Sequence, residues 1–347
     1  MISSRSFGFT AKGEAVTCFR LQNAVGAYAD ILTFGATIQS FCAVGRDGRL
    51  LDVALGYDDV AGYEAGNAFL GAALGRYANR LCGARYTLDH KTIAVSANEG
   101  GHTCLHGGFL GFHKRLWQAD IQDNTLLLTR LSPAGEEGFT GDLSVQIAYT
   151  LTEENALHIR YRAETTAPTV VNLSNHCYFN LNGQGQGDIL GQVAQIMADG
   201  YTETVPPMRT TGRILPLAAT ALDFASPKPF GRDIADPLLA PTRGYDHNFA
   251  LQGAGLRRAA AVWCPQSGLA LTLHTDAPGM QLYTANFLSA TGKGGAAYGT
   301  HSAFCLEAQN FPDAPNHPAF PSAILRPGEV YQTETVYTLF CTEAFPG

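Results

Sequence analysis

The chain has 347 residues, 46% hydrophobic and 15% charged, with 23 Lys and Arg against 30 Asp and Glu, a net charge of −7 and a pI near 5.8. That composition excludes a disordered chain and gives no basic footprint for nucleic acid or anionic lipid, so a neutral small molecule is the natural ligand. No run of about 18 apolar residues occurs and "MISSRSFGFTAKGEAV" lacks an apolar h-region, so no membrane span is expected and, unless a leader precedes residue 1, the location is cytoplasmic.

The 38 glycines and 17 prolines predict frequent turns and few, short helices. Length alone suggests about two domains, but all-β chains of this size commonly fold as one unit. No linker, composition shift or repeat divides the sequence, so a single domain over residues 1–347 is expected. The eight cysteines, at 18, 42, 82, 104, 177, 264, 305 and 341, form no C-x-x-C pair. They read as reduced thiols in or near the core.

In chain order, the first helical candidate is short and lies near 58–65. "GRYANRL" (75–81) then sets Arg76 and Arg80 around Asn79. A turn with solvated arginines is the plain alternative. The functional one makes Arg80 a planar multi-donor fork for adjacent hydroxyl oxygens, with Asn79 adding a donor and an acceptor. "GGHTCLHGGFLGFH" (100–113) carries His102, His106 and His113. Its H-x-x-x-H spacing suits zinc on a helix, but there is no helical stripe, Gly107 and Gly108 follow at once, and the glutamate of H-E-x-x-H is missing. No metal is expected. Glycines beside a histidine suit a loop whose backbone approaches a ligand closely.

"LSVQIAYTLTEENALHIRYRAET" alternates strictly: Leu143, Val145, Ile147, Tyr149 and Leu151, a polar turn at 153–155, then Leu157, Ile159, Tyr161 and Ala163. That predicts a hairpin with one buried face. "VVNLSNHCYFNLNGQGQG" (170–187) predicts a strand carrying Asn172, Asn175, His176 and Asn180 into a glycine loop. Asn disfavours strands, so the polar row suggests a hydrogen-bonded site. The G-x-G-x-G lacks the βαβ setting of a dinucleotide fingerprint. A second short helical candidate lies near 231–238.

"RGYDHNF" (243–249) holds Asp246, which taken alone is best read as part of an Asx turn. "AAAVWCPQSGLALTLHT" predicts another hairpin turning at 265–268, and "GMQLYTANF" places Gln281 and Asn286 on an apolar strand. In "FCLEAQNFPDAPN" (304–316) Glu307 interrupts an apolar strand, with Gln309 on the same face. An unpaired buried carboxylate is expensive, so Glu307 either faces solvent or has its protonation set for chemistry. "EVYQTETVYTLF" supplies a last strand. Many short strands with Gly, Pro and Asn turns indicate an all-β sandwich or barrel.

Together "GRYANR", "LHGG", "NLSNHCYFNL", "YDHNF", "QLYTANF" and "FCLEAQNFPDAPN…FPS" resemble the galactose mutarotase, or aldose 1-epimerase, family over nearly the whole chain. The resemblance implies a large antiparallel β-sandwich, no cofactor, a monomer or homodimer, and interconversion of the anomers of free aldoses such as galactose and glucose. It implies Glu307 as general base and His176 as general acid. Asn79, Arg80, His106, Asp246 and Gln281 would hold the sugar, with Tyr178 beside them. Thr103, Cys177 and Ala285 depart from the commoner Asn, Ser and Gly, and the first could alter sugar contacts.

Such residues suit the chemistry, because opening a cyclic hemiacetal takes one proton from the anomeric hydroxyl and gives one to the ring oxygen. An ordinary imidazole is well matched to that task near neutrality, whereas a glutamate gains from a raised pKa, which burial supplies and Arg80 opposes. A phosphorylated-hexose epimerase would need a basic cluster that the motifs do not gather. A noncatalytic sugar sensor would lose Glu307 or His176. A polysaccharide lyase or binding module would line its groove with aromatics, and only two Trp occur, at 117 and 263.

Overall fold

A computed structural model describes all residues, Met1–Gly347, as antiparallel β-structure with one short α-helix, Val60–Ala65, and six 3-10 turns. Its largest sheet has nine strands, with the expected hairpin Leu143–Leu151 and Ala156–Thr165 running beside the C-terminal strand Tyr331–Cys341. Leu143, Val145, Ile147, Tyr149 and Leu151 are all buried, as period-two alternation requires of a strand with one inward face. The second predicted hairpin is Arg257–Trp263 with Leu269–Thr275, which joins the same sheet.

A six-stranded sheet faces it, ordered Tyr178–Phe179, Phe304–Gln309, Gly279–Tyr283, Asp246–Leu251, Ala198–Val205 and Arg209–Pro216. One hydrophobic cluster joins Leu271 and Tyr337 of the first sheet to Met280, Leu282 and Leu306 of the second. The Tyr337 hydroxyl crosses the interface to donate to the Leu306 carbonyl at 2.7 Å. The all-β sandwich expected from the sequence is what the chain forms. A five-stranded sheet, Ile2–Phe9 through Leu50–Asp52, adds to the N-terminal side.

Three local expectations need correction. The helix near 231–238 does not form. Pro229, Pro237 and Pro241 withhold amide donors, and two 3-10 turns, Phe230–Arg232 and Pro237–Thr242, take its place. The segment 170–187 is not one strand but short pieces, Thr169–Val170, Ser174–Asn175 and Tyr178–Phe179. Its asparagines replace the missing ladder: Asn172 Nδ2 donates to the Ala78 carbonyl, Asn175 Nδ2 to Gly71, and Asn180 Nδ2 to Ser302. The three asparagines of the polar row are therefore scaffold, and only His176 among the row lines the cavity described below. All eight cysteines are free, but Cys341 is exposed and only Cys82 is half-buried, the rest being buried.

Candidate active site

The six-stranded sheet has two different faces. On Phe304–Gln309, Phe304 and Leu306 enter the sandwich core, so Cys305, Glu307 and Gln309 point the other way. On Gly279–Tyr283 the same alternation sends Gln281 and Tyr283 outward, and on Asp246–Leu251 it sends Asp246 and Asn248 outward. The register aligns them: Asn248 opposes Gln281, which opposes Glu307, while Asp246 opposes Tyr283, which opposes Cys305, which opposes Tyr178. Of these, Gln281, Glu307, Asp246, Tyr283 and Tyr178 form the floor of a cavity of about 550 Å³. Glu307 thus lies on neither the solvent face nor the core face, but on a floor walled in by loops, at 2% exposure.

Part of the wall comes from the two motif loops, the rest from segments 65–69 and 287–290 with Tyr57. In "GRYANR" the arginines do opposite jobs. Arg76 is 2% exposed and donates to the carbonyls of Ser132, Thr140 and Gly141 at 2.7–2.8 Å, so it anchors the loop and is not a solvated residue. The Tyr77 hydroxyl donates to the Phe311 carbonyl at 2.9 Å, tying the same loop to the Glu307 strand's exit. With those anchors set, Asn79 adopts a left-handed backbone, φ +63°, and turns toward the cavity with Arg80. Arg80 is gripped by Glu99, which accepts from Nε and Nη2 at 2.8 Å each, a fork geometry that leaves Nη1 for another partner.

His106 and His176 meet above the floor with ring centroids 5.2 Å apart, and their roles are set by what lies behind each. The Asn79 amide donates to His106 Nδ1 at 3.1 Å, so that ring carries its hydrogen on Nε2 and cannot take a second proton without breaking the bond. Burial first, then His176 and Arg80, hold His106 well below the usual imidazole range. The side-chain neighbour of His176 Nδ1 is the Cys305 sulfur, 3.5 Å away, which can donate or accept. Its Nε2 stands 3.8 Å from Glu307 Oε1, beyond hydrogen-bond range. Burial lowers His176 to about 3 and raises Glu307 well above the usual carboxylate range, Asp246 adding to the rise and Arg80 opposing it, so burial disfavours the charged form of both groups.

His106, His176 and Glu307 place their donor atoms within 4.8 Å of one another, a spacing a divalent ion could bridge. The tautomer opposes that: a ligating histidine donates its rear N–H, whereas His106 accepts there and faces the cavity with N–H rather than a lone pair. The other histidines of the glycine loop stand apart. His102 is exposed, and His113 is buried against Phe69 rather than lining the cavity.

The cavity wall contains the eight residues that the family resemblance implies for the site: Glu307, His176, Asn79, Arg80, His106, Tyr178, Asp246 and Gln281. Tyr178 stacks behind His176, with centroids 4.9 Å apart and planes at 17°. Asp246 opens a strand instead of an Asx turn and accepts from Gln281 Nε2 at 2.5 Å. Thr103 pairs with Cys82 outside the cavity lining, while Ala285 has φ +51°, a backbone that favours the commoner Gly. Glu99 and Phe69 line the cavity without any sequence signal that marked them. Two buried polar atoms of the floor, Glu307 Oε2 and Gln281 Oε1, have no protein partner, and neither do Asn248 Nδ2 and Gln309 Oε1 on the same sheet face outside the lining. Such atoms are costly unless a bound molecule satisfies them.

The family model for aldose 1-epimerase matches residues 17–338. Galactose mutarotase of Homo sapiens is 40% identical over 326 residues, covering 93% of this chain and 94% of that protein. Aldose 1-epimerase of Escherichia coli (strain K12) is 38% identical over 332 residues, covering 94% and 95%. Among solved structures, the aldose epimerase homologue from C. elegans superposes with a TM-score of 0.88 at 28% identity, covering 98% of this chain and 100% of that one.

Because burial raises Glu307, the folded chain binds that proton more tightly than the unfolded one, whose carboxyl titrates near 4.5. The stability it contributes is complete below 4.5 and is lost as pH rises toward the folded value. Glu307→Gln removes this penalty. Its Tm is expected to match wild type near about pH 4 and to exceed it by a few degrees at about pH 7–8 in calorimetry. A variant less stable than wild type at neutral pH would show that the carboxylate is well satisfied where it sits.

Proposed function

The chain belongs to the aldose 1-epimerase family, and from that premise we propose that Glu307 and His176 move the two protons by which it interconverts the α and β anomers of free aldoses such as galactose and glucose. The observation that carries this assignment is the pair itself, two ionisable groups 3.8 Å apart, as suits partners that each reach an oxygen on the same anomeric carbon. Glu307 as carboxylate takes the anomeric hydroxyl proton while His176 as imidazolium protonates the ring oxygen. The bond from C1 to the ring oxygen breaks and C1 becomes a carbonyl. Rotation about C1–C2 presents its other face. On closure His176 takes its proton back from the former ring oxygen, and Glu307 returns the other to O1.

The remaining groups hold the sugar. Arg80 Nη1, Asn79 Nδ2 and the Nε2–H of His106 offer donors. Gln281 Oε1 and the second oxygen of Asp246 offer acceptors, a mixture matched to hydroxyls that do both. Arg80 is the only Lys or Arg in the cavity wall, and Glu99 already balances it, which weighs against a phosphorylated sugar. One chain supplies the whole cavity wall, so either a monomer or a homodimer can work without a partner's residue. We read residues 1–347 as one domain, since its main core cluster runs through both large sheets. No helix is long and apolar enough to cross a membrane, and the unpaired cysteines support a cytoplasmic location.

Glu307→Gln and His176→Gln should each keep sugar binding while kcat falls about 10²–10⁴-fold, followed by the optical rotation of freshly dissolved α-galactose after subtracting the spontaneous rate. Wild-type kcat/KM should be bell-shaped in pH. The pair fails when it gains a second proton at low pH and when it loses its one proton at high pH, so the limbs belong to both groups together. Each single variant should keep one limb. Dialysis against a strong chelator should leave the rate unchanged, and activity restored by a divalent ion would revive the metal alternative.

A further inference from the structure

The residue over His176 that no motif marked is Phe69. Its ring, like that of Tyr178 at 17° and 4.9 Å, is nearly parallel to the imidazole, planes at 16° and centroids 5.8 Å apart. Its edges meet His106 at 4.7 Å and His113 at 4.6 Å. Phe69 also has a left-handed backbone, φ +57°, which a bulky side chain rarely adopts. Strain of that kind persists only where the surroundings enforce it.

The enforcement is visible in the hydrogen bonds. The Ala72 amide closes the turn on the Phe69 carbonyl at 3.0 Å. Gly71 donates to the His176 carbonyl at 3.0 Å, His176 donates to Ala72 at 2.9 Å, and Asn175 Nδ2 donates to Gly71 at 2.8 Å. Gly71 itself has φ +69°, and a Cβ there would stand 2.0 Å from the Ile38 carbonyl oxygen, so the turn has no room to shift. The Phe69 turn and the His176 segment are therefore one unit.

We propose that Phe69 is a positioning residue for His176: with Tyr178 it clamps the imidazole between two aromatic faces, fixing its plane toward the sugar's ring oxygen and favouring the imidazolium in a site that excludes water. The inference rests on His176 being the general acid. Both ring centroids lie within the range over which an aromatic face attracts a cation. No carboxylate stands behind Nδ1 to do this instead; its side-chain neighbour is the Cys305 sulfur. The groups facing His176 are Glu307 and Cys305 from one strand, Tyr283 from the next, Tyr178 from its own segment, and His106 and His113 from the glycine loop. Of these only Glu307 can bring negative charge, and Arg80, Glu99 and Asp246 share the cavity beyond it.

The test compares Phe69→Leu and Phe69→Tyr for mutarotation of α-galactose between about pH 5 and pH 9. Phe69→Leu should lower kcat about 3- to 30-fold with KM within about twofold, and move the alkaline limb down by about 0.5–1 pH unit. Phe69→Tyr, which keeps the face, should restore both. A raised KM with kcat and limb in place would instead make Phe69 a platform for the sugar and overturn the proposal. Should His176→Gln keep full kcat, the acid assignment itself falls, whatever Phe69 does. Should Phe69→Leu fail to fold, proton NMR of the wild type decides: ring protons of His176 carrying the upfield shift of a two-sided stack support the clamp, and unshifted ones refute it.

Discussion

The structure is organised around one uncomfortable group, a carboxyl at 2% exposure with an oxygen that no protein atom satisfies. A glutamate on the solvent face of a strand would cost nothing, and one in the sandwich core would not be tolerated. Glu307 avoids both because its sheet is used on both sides. Phe304 and Leu306 feed the hydrophobic core, and the alternate residues feed a covered cavity. Burial raises the carboxyl well above its usual range, and the carboxylate form is held there at a loss of stability.

The same logic separates two histidines that look equivalent in the sequence. A backbone amide behind His106 fixes it as a neutral donor, whereas a thiol behind His176 leaves that ring able to change protonation. Neither outcome depends on the histidine alone. The first follows from the left-handed Asn79, held in place by buried Arg76 and Tyr77, and the second from Cys305 lying two residues before Glu307 on the same strand face. On the proposed mechanism, that difference is what divides sugar binding from proton transfer.

How much of this was legible in the sequence differed by element. The hairpin 143–165 could be read because period-two alternation is a local signal, and the site residues could be collected because their motifs match a family in order and spacing. Arg76 could not be told from Arg80, since four residues apart in one loop they differ only in what the folded chain brings to them. The asparagines of 170–187 looked like a binding row because low strand propensity was taken as a sign of function. They instead repair an irregular backbone. Glu99 and Phe69 were invisible, because their partners, Arg80 and His176, are brought to them only by tertiary closure. The absent helix near 231–238 was readable in principle, given three prolines across 229–241.

The central claim is that Glu307 and His176 act as one proton-transferring unit, and a double-variant kinetic cycle tests it most directly. kcat/KM for α-galactose would be measured for wild type, Glu307→Gln, His176→Gln and the variant carrying both. If the two groups serve a single concerted step, the double variant loses little more than either single one, far less than the product of the two losses. Losses that multiply would mean that the residues act independently and that the 3.8 Å between them is not a catalytic distance.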